Sequence, residues 1–369
     1  MTDKLPVLVT GGAGYIGSHA VLALLDDGWP VTVIDDLSTG FEWAVPKGAT
    51  FVKGDVADAE LVARLISEQG IGAVMHFAGS IIVPESVARP LHYYENNTVK
   101  SRALIESVVR GGVAHFIFSS TAATYGIPDR VPVREDAPTV PINPYGWSKL
   151  MTERMLTDSA AAYPLNFCAL RYFNVAGADP DGRAGQSSAG ATHLVKVAVE
   201  AATGKRGHVD VFGTDYDTPD GTCVRDYIHV SDLAAAHVHA LELLISSPAE
   251  SMILNCGYKR GFSVLDVLDS IDRVAGHPVE RRFSPRRAGD PPMLVADNAR
   301  ILATLPWRAE RDRLDTIVAD ALAWEHRLAE RFAPGPLRGQ SEIPANPDQP
   351  PQVSVEQTRE RDGYPVSLS

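Results

Sequence analysis

Cysteine is scarce in this chain of 369 residues, with only Cys168, Cys223 and Cys256. They lie far apart and form no CxxC pair. That excludes a disulfide scaffold and suits a reducing compartment, so a cytoplasmic protein is expected. Long apolar runs are missing too. None approaches the ~18 residues needed to span a bilayer, and the opening MTDKLPVLVT enters a strand without a signal-peptide layout. Positive charge is in deficit: 34 Lys and Arg face 46 Asp and Glu, a net charge of −12. A general nucleic-acid or anionic-membrane binder is therefore not expected, and an anionic substrate would need a local arginine cluster. Metal-ligand spacing is also lacking. His237 and His239 are i, i+2 on a helical stretch and point different ways, so no metal is expected. There are no internal repeats.

What the chain does have is glycine in one telling place. Residues 10–17 read Thr-Gly-Gly-Ala-Gly-Tyr-Ile-Gly, after the apolar run Leu5–Val9 and before an amphipathic stretch. Strand, glycine turn and helix in that order form a dinucleotide-binding unit. Gly11 allows the tight turn, Gly14 lets backbone approach a pyrophosphate, and Gly17 lets helix pack on strand. Tyr15 and Ile16 sit at the helix N-terminus, whose N–H groups and partial positive charge suit phosphate. Alone such a turn is weak evidence; its context carries the reading.

The length suggests about two domains. Strand-like runs at 5–10, 31–35, 50–53, 73–77, 115–119 and 165–171 alternate with helical ones. Short apolar runs of this kind suit a parallel sheet covered on both faces. The fold expected is α/β, a Rossmann-type doubly wound parallel sheet with a smaller interleaved C-terminal α/β substrate domain. The NAD-binding part takes 1–173, with 226–255 returning to it. The substrate part takes 174–225 and 256–332. Residues 177–190 read as a long flexible loop of the kind that forms lids. Residues 333–369, rich in Pro, Gln, Ser and charge, read as a disordered tail.

Asp35 ends the second strand, 18 residues after Gly17. An acid there accepts both ribose hydroxyls and repels a 2′-phosphate. Asp36 follows with no adjacent arginine, so NAD is expected rather than NADP. Asp55 ends the third strand, where facing the adenine and being a plain turn residue are both open. The fourth strand ends in His76-Phe77-Ala78-Gly79, a small-residue turn able to approach the cofactor. Tyr145 and Lys149 lie i, i+4 on one helix face, behind Asn143 as cap and Pro144 in the first turn. A tyrosine titrates near ~10, and a neighbouring ammonium lowers that value. The pair is a candidate base for a sugar hydroxyl. Ser119-Ser120-Thr121 ends the fifth strand, the ligand-facing end, where Thr121 can bond the same hydroxyl.

With these residues in place, the chain resembles the extended short-chain dehydrogenase/reductase family, and within it the 4-epimerases of UDP-hexoses. The resemblance runs over most of 5–330. It is carried by residues 10–19, Tyr93–Asn97, Phe116–Ser120, Arg171–Asn174, Asp220–Val230 and Pro285–Asp290. It implies that Tyr145 is the catalytic tyrosine, Lys149 its partner and Thr121 the catalytic hydroxyl. Gly11, Gly14, Tyr15, Ile16, Gly17, Asp35, Asp36, Asp55, Val56, Phe77, Ala78, Gly79, Asn97, Ser119 and Phe173, with Tyr145 and Lys149, would line a tightly bound NAD. Asn174, Leu194, Asp210, Phe212, Arg225, Arg287, Asp290 and Leu294 would surround a UDP-sugar. Bidentate arginines suit a diphosphate inside an acidic protein, so Arg225 and Arg287 form the expected clamp, with Arg286 as helper.

The implied reaction is reversible epimerisation at C4 of UDP-glucose and UDP-galactose through a 4-keto sugar, in a homodimer joined by helices near 97–110 and 146–161. Residues 174–179 and 190–194 resemble those of bacterial members that supply polysaccharide synthesis. Two positions depart from the pattern or leave it open. Ile81 stands where many relatives carry a lysine that reaches NAD. Leu294, at the position that tunes room for an N-acetyl group, leaves acetamido sugars, pentoses or uronic acids as the alternative. A 4,6-dehydratase is disfavoured, because Ala122-Ala123-Thr124 after Thr121 brings no carboxylate. A non-catalytic NAD-sensing scaffold is disfavoured by the joint presence of Thr121, Tyr145 and Lys149.

Overall fold

The computed structural model describes residues 4–188, 190–247, 250–287 and 290–332. The expected tail at 333–369 lies outside them. The chain divides into a unit Met1–Arg331 and a unit Phe332–Ser369, and of the latter only Phe332 is described.

Seven parallel strands form the central sheet. β1 is Val7–Thr10, β2 Val31–Asp35, β3 Thr50–Lys53, β4 Ala73–His76, β5 His115–Thr121 and β6 Asn166–Tyr172. The seventh, Met252–Cys256, pairs with β6 from far down the chain. Their order is Met252–Cys256, β6, β5, β4, β1, β2, β3. The order reverses between β1 and β4, so a crevice opens there at the carboxyl ends of the strands.

Alternation along β1 explains why the sheet is covered on both sides. Val7 and Val9 face a core that includes Val21, Leu24, Leu233 and Leu241. Leu8 faces the other, with Val62, Leu104, Phe116 and Leu156. All four side chains of β1 are fully buried, so each face of the strand needs its own helical layer.

β6 ends one residue later than expected, and β5 carries the Ser-Thr run expected at its end. β5 runs to Thr121 and β6 to Tyr172, because Ser119, Ser120 and Thr121 still pair with Leu170, Arg171 and Tyr172. Backbone pairing continues where side chains turn polar.

A second group of strands lies beyond β6. Asn174–Ala176 and Met293–Leu294 both pair in parallel with Val224–His229, and Gly261–Ser263 pairs antiparallel with it. Val209–Phe212 pairs with Arg281–Ser284. These strands share a core of Val195, Val199, Val211, Leu268, Ile271 and Ile317. The helix Val264–Ala275 starts on a capping box of Ser263 and Asp266 and stops at Gly276, whose φ is +79°.

Segment 177–188 departs from the flexible loop expected of it. An Ala178–Gly185 bridge closes it, and the Arg183 guanidinium binds the Asp179 carboxylate at 2.8 Å. Trp324 fills the space beside Gly185 so closely that a Cβ there would lie 2.3 Å from the ring. Glycine and polar residues here serve close packing and ion pairs.

Candidate active site

The glycine turn is packed to its limit. A Cβ on Gly11 would lie 2.6 Å from the Ala78 backbone nitrogen, and one on Gly17 would lie 2.2 Å from the Gly11 carbonyl. Gly11 has φ +70°, which glycine adopts without strain. Gly14 precedes the helix Tyr15–Asp26, and no side chain caps that helix. An uncapped helix start beside bare backbone is a cradle for phosphate.

Asp35 faces this turn from the end of β2. Its carboxylate accepts from Ala13 N at 3.0 Å and Leu37 N at 2.8 Å. Burial pushes its pKa up, and those two bonds oppose the rise. Asp36 is turned to its own loop, accepting from Ser38 N at 2.8 Å. Asp55 is held by Ala57 N at 2.9 Å and by the Lys100 ammonium at 2.7 Å. Burial alone would raise the Asp55 pKa, but these partners bring it below the ordinary value. Val56 beside it is buried. Lys100 was invisible in the sequence, because nothing near Asp55 in the chain announces it.

The turn after β4 is tied from several sides. Phe77 N donates to Thr10 O at 3.0 Å, and Ala78 N to Thr10 Oγ1 at 3.4 Å. His76 sits between the Thr10 and Ser101 hydroxyls at 2.6 and 2.7 Å. Burial, helped by Lys149, pushes its pKa down to about 3. A Cβ on Gly79 would lie 3.0 Å from Asn97 Oδ1 and 3.7 Å from Lys149 Nζ. The Asn97 amide spends its bonds on protein: Oδ1 accepts from Ser80 N, and Nδ2 donates to Ser80 O and Ser148 Oγ. It joins the turn to the helix Pro144–Ala162. Ile81 is exposed.

That helix begins as its sequence predicts, with Asn143 Oδ1 accepting from Gly146 N at 2.8 Å and Pro144 in the first turn. Gly146 then allows contact: a Cβ there would lie 2.6 Å from Ala123 O. The close approach brings Tyr145 to Thr121, whose hydroxyl favours the ionised phenol. Thr121 Oγ1 also accepts from Ala123 N at 3.1 Å. The Tyr93 ring stands perpendicular to Tyr145, with centroids 6.5 Å apart. Lys149 Nζ donates to Ser119 O at 3.0 Å and lies 5.0 Å from the Phe118 ring. The Ser119 hydroxyl pairs with Tyr172.

Electrostatics correct one expectation. Burial raises the Tyr145 pKa, and the Thr121 hydroxyl opposes this only in part. Burial also pushes Lys149 down to about 8. In the protein alone desolvation dominates at the phenol, and the opposing influence comes from Thr121 rather than from the expected Lys149 ammonium.

The second half of the site comes together in two groups. Arg225 donates to Val224 O at 2.9 Å and lies 3.9 Å from the Asp290 carboxylate. Leu294 pairs with Arg225 in the ladder and packs in one cluster with Phe173, Ala122 and Tyr125. The Arg287 guanidinium lies 3.7 Å from the Phe212 ring centroid. Asn174 opens its strand, and Leu194 opens the helix Leu194–Ala202. Asp210 is exposed, 3.6 Å from His208. Arg286, expected as a helper, is committed elsewhere: it pairs with Asp215 at 2.7 Å and stacks on Tyr216.

Residues 7–257 match the NAD dependent epimerase/dehydratase family, and the chain belongs to that family. Within it, the chain is similar to a UDP-glucose 4-epimerase of Azospirillum brasilense, at 57% identity over 89% of this chain and 96% of the relative. It is also similar to the crystal structure of UDP-glucose 4-epimerase from Brucella ovis in complex with NAD. That match has 44% identity, a TM-score of 0.84, and coverage of 86% of this chain and 98% of that one. A third likeness is to the UDP-Glc/GlcNAc 4-epimerase of Campylobacter jejuni, at 45% identity and a TM-score of 0.77, over 88% of this chain and 99% of that one.

Proposed function

We propose that this chain is an isomerase that inverts C4 of a UDP-hexose, interconverting UDP-glucose and UDP-galactose. The observation that carries the reading is Tyr145 set beside the Thr121 hydroxyl, with Lys149 buried against Ser119 at the carboxyl end of β5. Residues 1–173 and 226–255 form the NAD side, and 174–225 and 256–332 the UDP-sugar side. Gly11, Gly14 and Gly17 would cradle the pyrophosphate, and Asp35 would hold the ribose. NAD held there would supply reversible hydride acceptance at C4, and its positive charge would add to Lys149 in favouring a Tyr145 phenolate.

Tyr145 takes the C4 hydroxyl proton and later gives it back. Thr121 orients that hydroxyl. Lys149 steadies the phenolate against the burial that raises its pKa. Arg225 and Arg287 hold the diphosphate while the 4-keto ring turns over. A firm nucleotide anchor with few contacts to the sugar lets either face be presented.

The three described thiols, Cys168, Cys223 and Cys256, are buried and unbridged, which supports a reducing cytoplasm. No described helix is long and apolar enough to cross a membrane. Val87, Leu91, Val99, Trp147 and Met151 expose apolar side chains on 83–99 and the helix Pro144–Ala162. Of these, Val99, Trp147 and Met151 lie on the helices near 97–110 and 146–161 expected to join a homodimer, and support it.

Leu294 keeps a second reading alive, in which another UDP-sugar is the substrate, and the Campylobacter relative's name covers two sugars. Purified protein incubated separately with UDP-galactose, UDP-N-acetylgalactosamine and UDP-arabinopyranose, with products read by NMR, decides between them. The proposal expects UDP-galactose to turn over fastest. Faster turnover of either other sugar assigns the second reading.

A further inference from the structure

Segment 177–183 runs along the helix Tyr15–Asp26. At the helix start the Tyr15 hydroxyl donates to Gly177 O at 2.7 Å. One turn later His19 Nε2 accepts from Asp179 N at 3.1 Å. The spacings match, since four helical residues and two extended residues each rise about 6 to 7 Å. His19 Nδ1–H donates to Tyr15 O at 2.7 Å, which leaves Nε2 as the acceptor that Asp179 needs. At the far end Arg183 bridges Asp179 at 2.8 Å and Asp26 at 2.9 Å. Gly177 is pressed from behind as well. Its φ is +91°, and a Cβ would lie 2.7 Å from the His229 ring. That ring is fixed by Ser231 N at 3.0 Å and the Asp320 carboxylate at 3.1 Å.

Helical side chains lean toward the N-terminus. The reach of Tyr15 therefore sets Gly177 beside the helix end that faces the pyrophosphate. We propose that segment 177–183 is a strap across the dinucleotide site, and that Tyr15, His19 and Arg183 set how slowly NAD leaves. The strap rests on the reading that NAD is a fixed group. It places the wall of the cofactor site on chain that belongs to the sugar side. Release then requires the two halves to part locally.

The test follows NAD itself. Holoenzyme loaded with 14C-labelled NAD is diluted into excess unlabelled NAD, and retained label is measured over time. Tyr15→Phe removes only the hydroxyl. Arg183→Met cuts the far anchor without touching the glycine turn. Each speeds label loss about fivefold, the value of one hydrogen bond, and the double variant more than either. Arg273→Met breaks an exposed ion pair with Asp315 outside the strap and leaves the rate unchanged. Wild-type rates in both Tyr15→Phe and Arg183→Met overturn the strap. Loss of label from the unaltered enzyme within a single turnover overturns instead the reading of NAD as fixed, while the ratio of variant to wild-type rates still judges the strap.

Discussion

Tyr145 is a phenol that burial holds protonated and that its reaction needs ionised. The protein meets this conflict with an ammonium one helical turn away and a hydroxyl donor in contact. Tyr145→Phe is expected to keep NAD while turnover falls about 10²- to 10⁴-fold, as when a general base is removed. Retained full activity removes Tyr145 as the base. Under the proposed clamp, Arg287→Ala is expected to weaken UDP binding about tenfold or more by calorimetry, with melting temperature little changed, since the guanidinium lies against the Phe212 ring and not in the core. Unchanged UDP affinity removes Arg287 from the clamp. The closeness of Tyr145, Lys149 and Thr121 was legible because helix spacing and a strand end set it, while the roles proposed for them come from the resemblance. Lys100 against Asp55 was not, because the two meet only when the helix Lys100–Arg110 packs beside β3. The raised pKa of Tyr145 was not legible either, because spacing shows neighbours and not burial.

At the scale of elements, the decisive contact is between the helix Pro144–Ala162 and the turn after β5. Gly146→Ala tests it. Alanine favours a helix by about 1 kcal/mol over glycine, but its Cβ would lie 2.6 Å from Ala123 O. The helix start must shift away from Thr121, so kcat falls more than KM rises in steady-state kinetics. A variant with wild-type kcat shows that this approach does not position Tyr145. The alternation of strands and helices was legible because β1 to β6 are short apolar runs between turns. Segment 177–188 misled because its glycines and polar residues look loop-like. Their partners, His19, His229 and Trp324, are supplied by distant elements that local sequence does not reveal.

Across the whole molecule, three neutral histidines are sealed inside. Burial pushes His19 to about 4, His76 to about 3 and His237 to about 4. The unfolded chain protonates these imidazoles below about 6.5, while the folded protein does not until far lower. The unfolded state thus binds more protons in this window, and stability falls as pH drops from about 6.5 toward 4. Melting temperature is expected to fall steadily over that range, and a flat profile there contradicts the burial of neutral rings.

The molecule as a whole joins a dinucleotide holder to a nucleotide-sugar holder, and its central claim is that hydrogen leaves C4 and returns to C4 within one active site. UDP-galactose deuterated at C4, converted in ordinary water, measures this directly by NMR. The account predicts UDP-glucose that keeps its deuterium at C4, with no NADH accumulating in solution. Loss of the deuterium to solvent, or steady release of NADH, would contradict it.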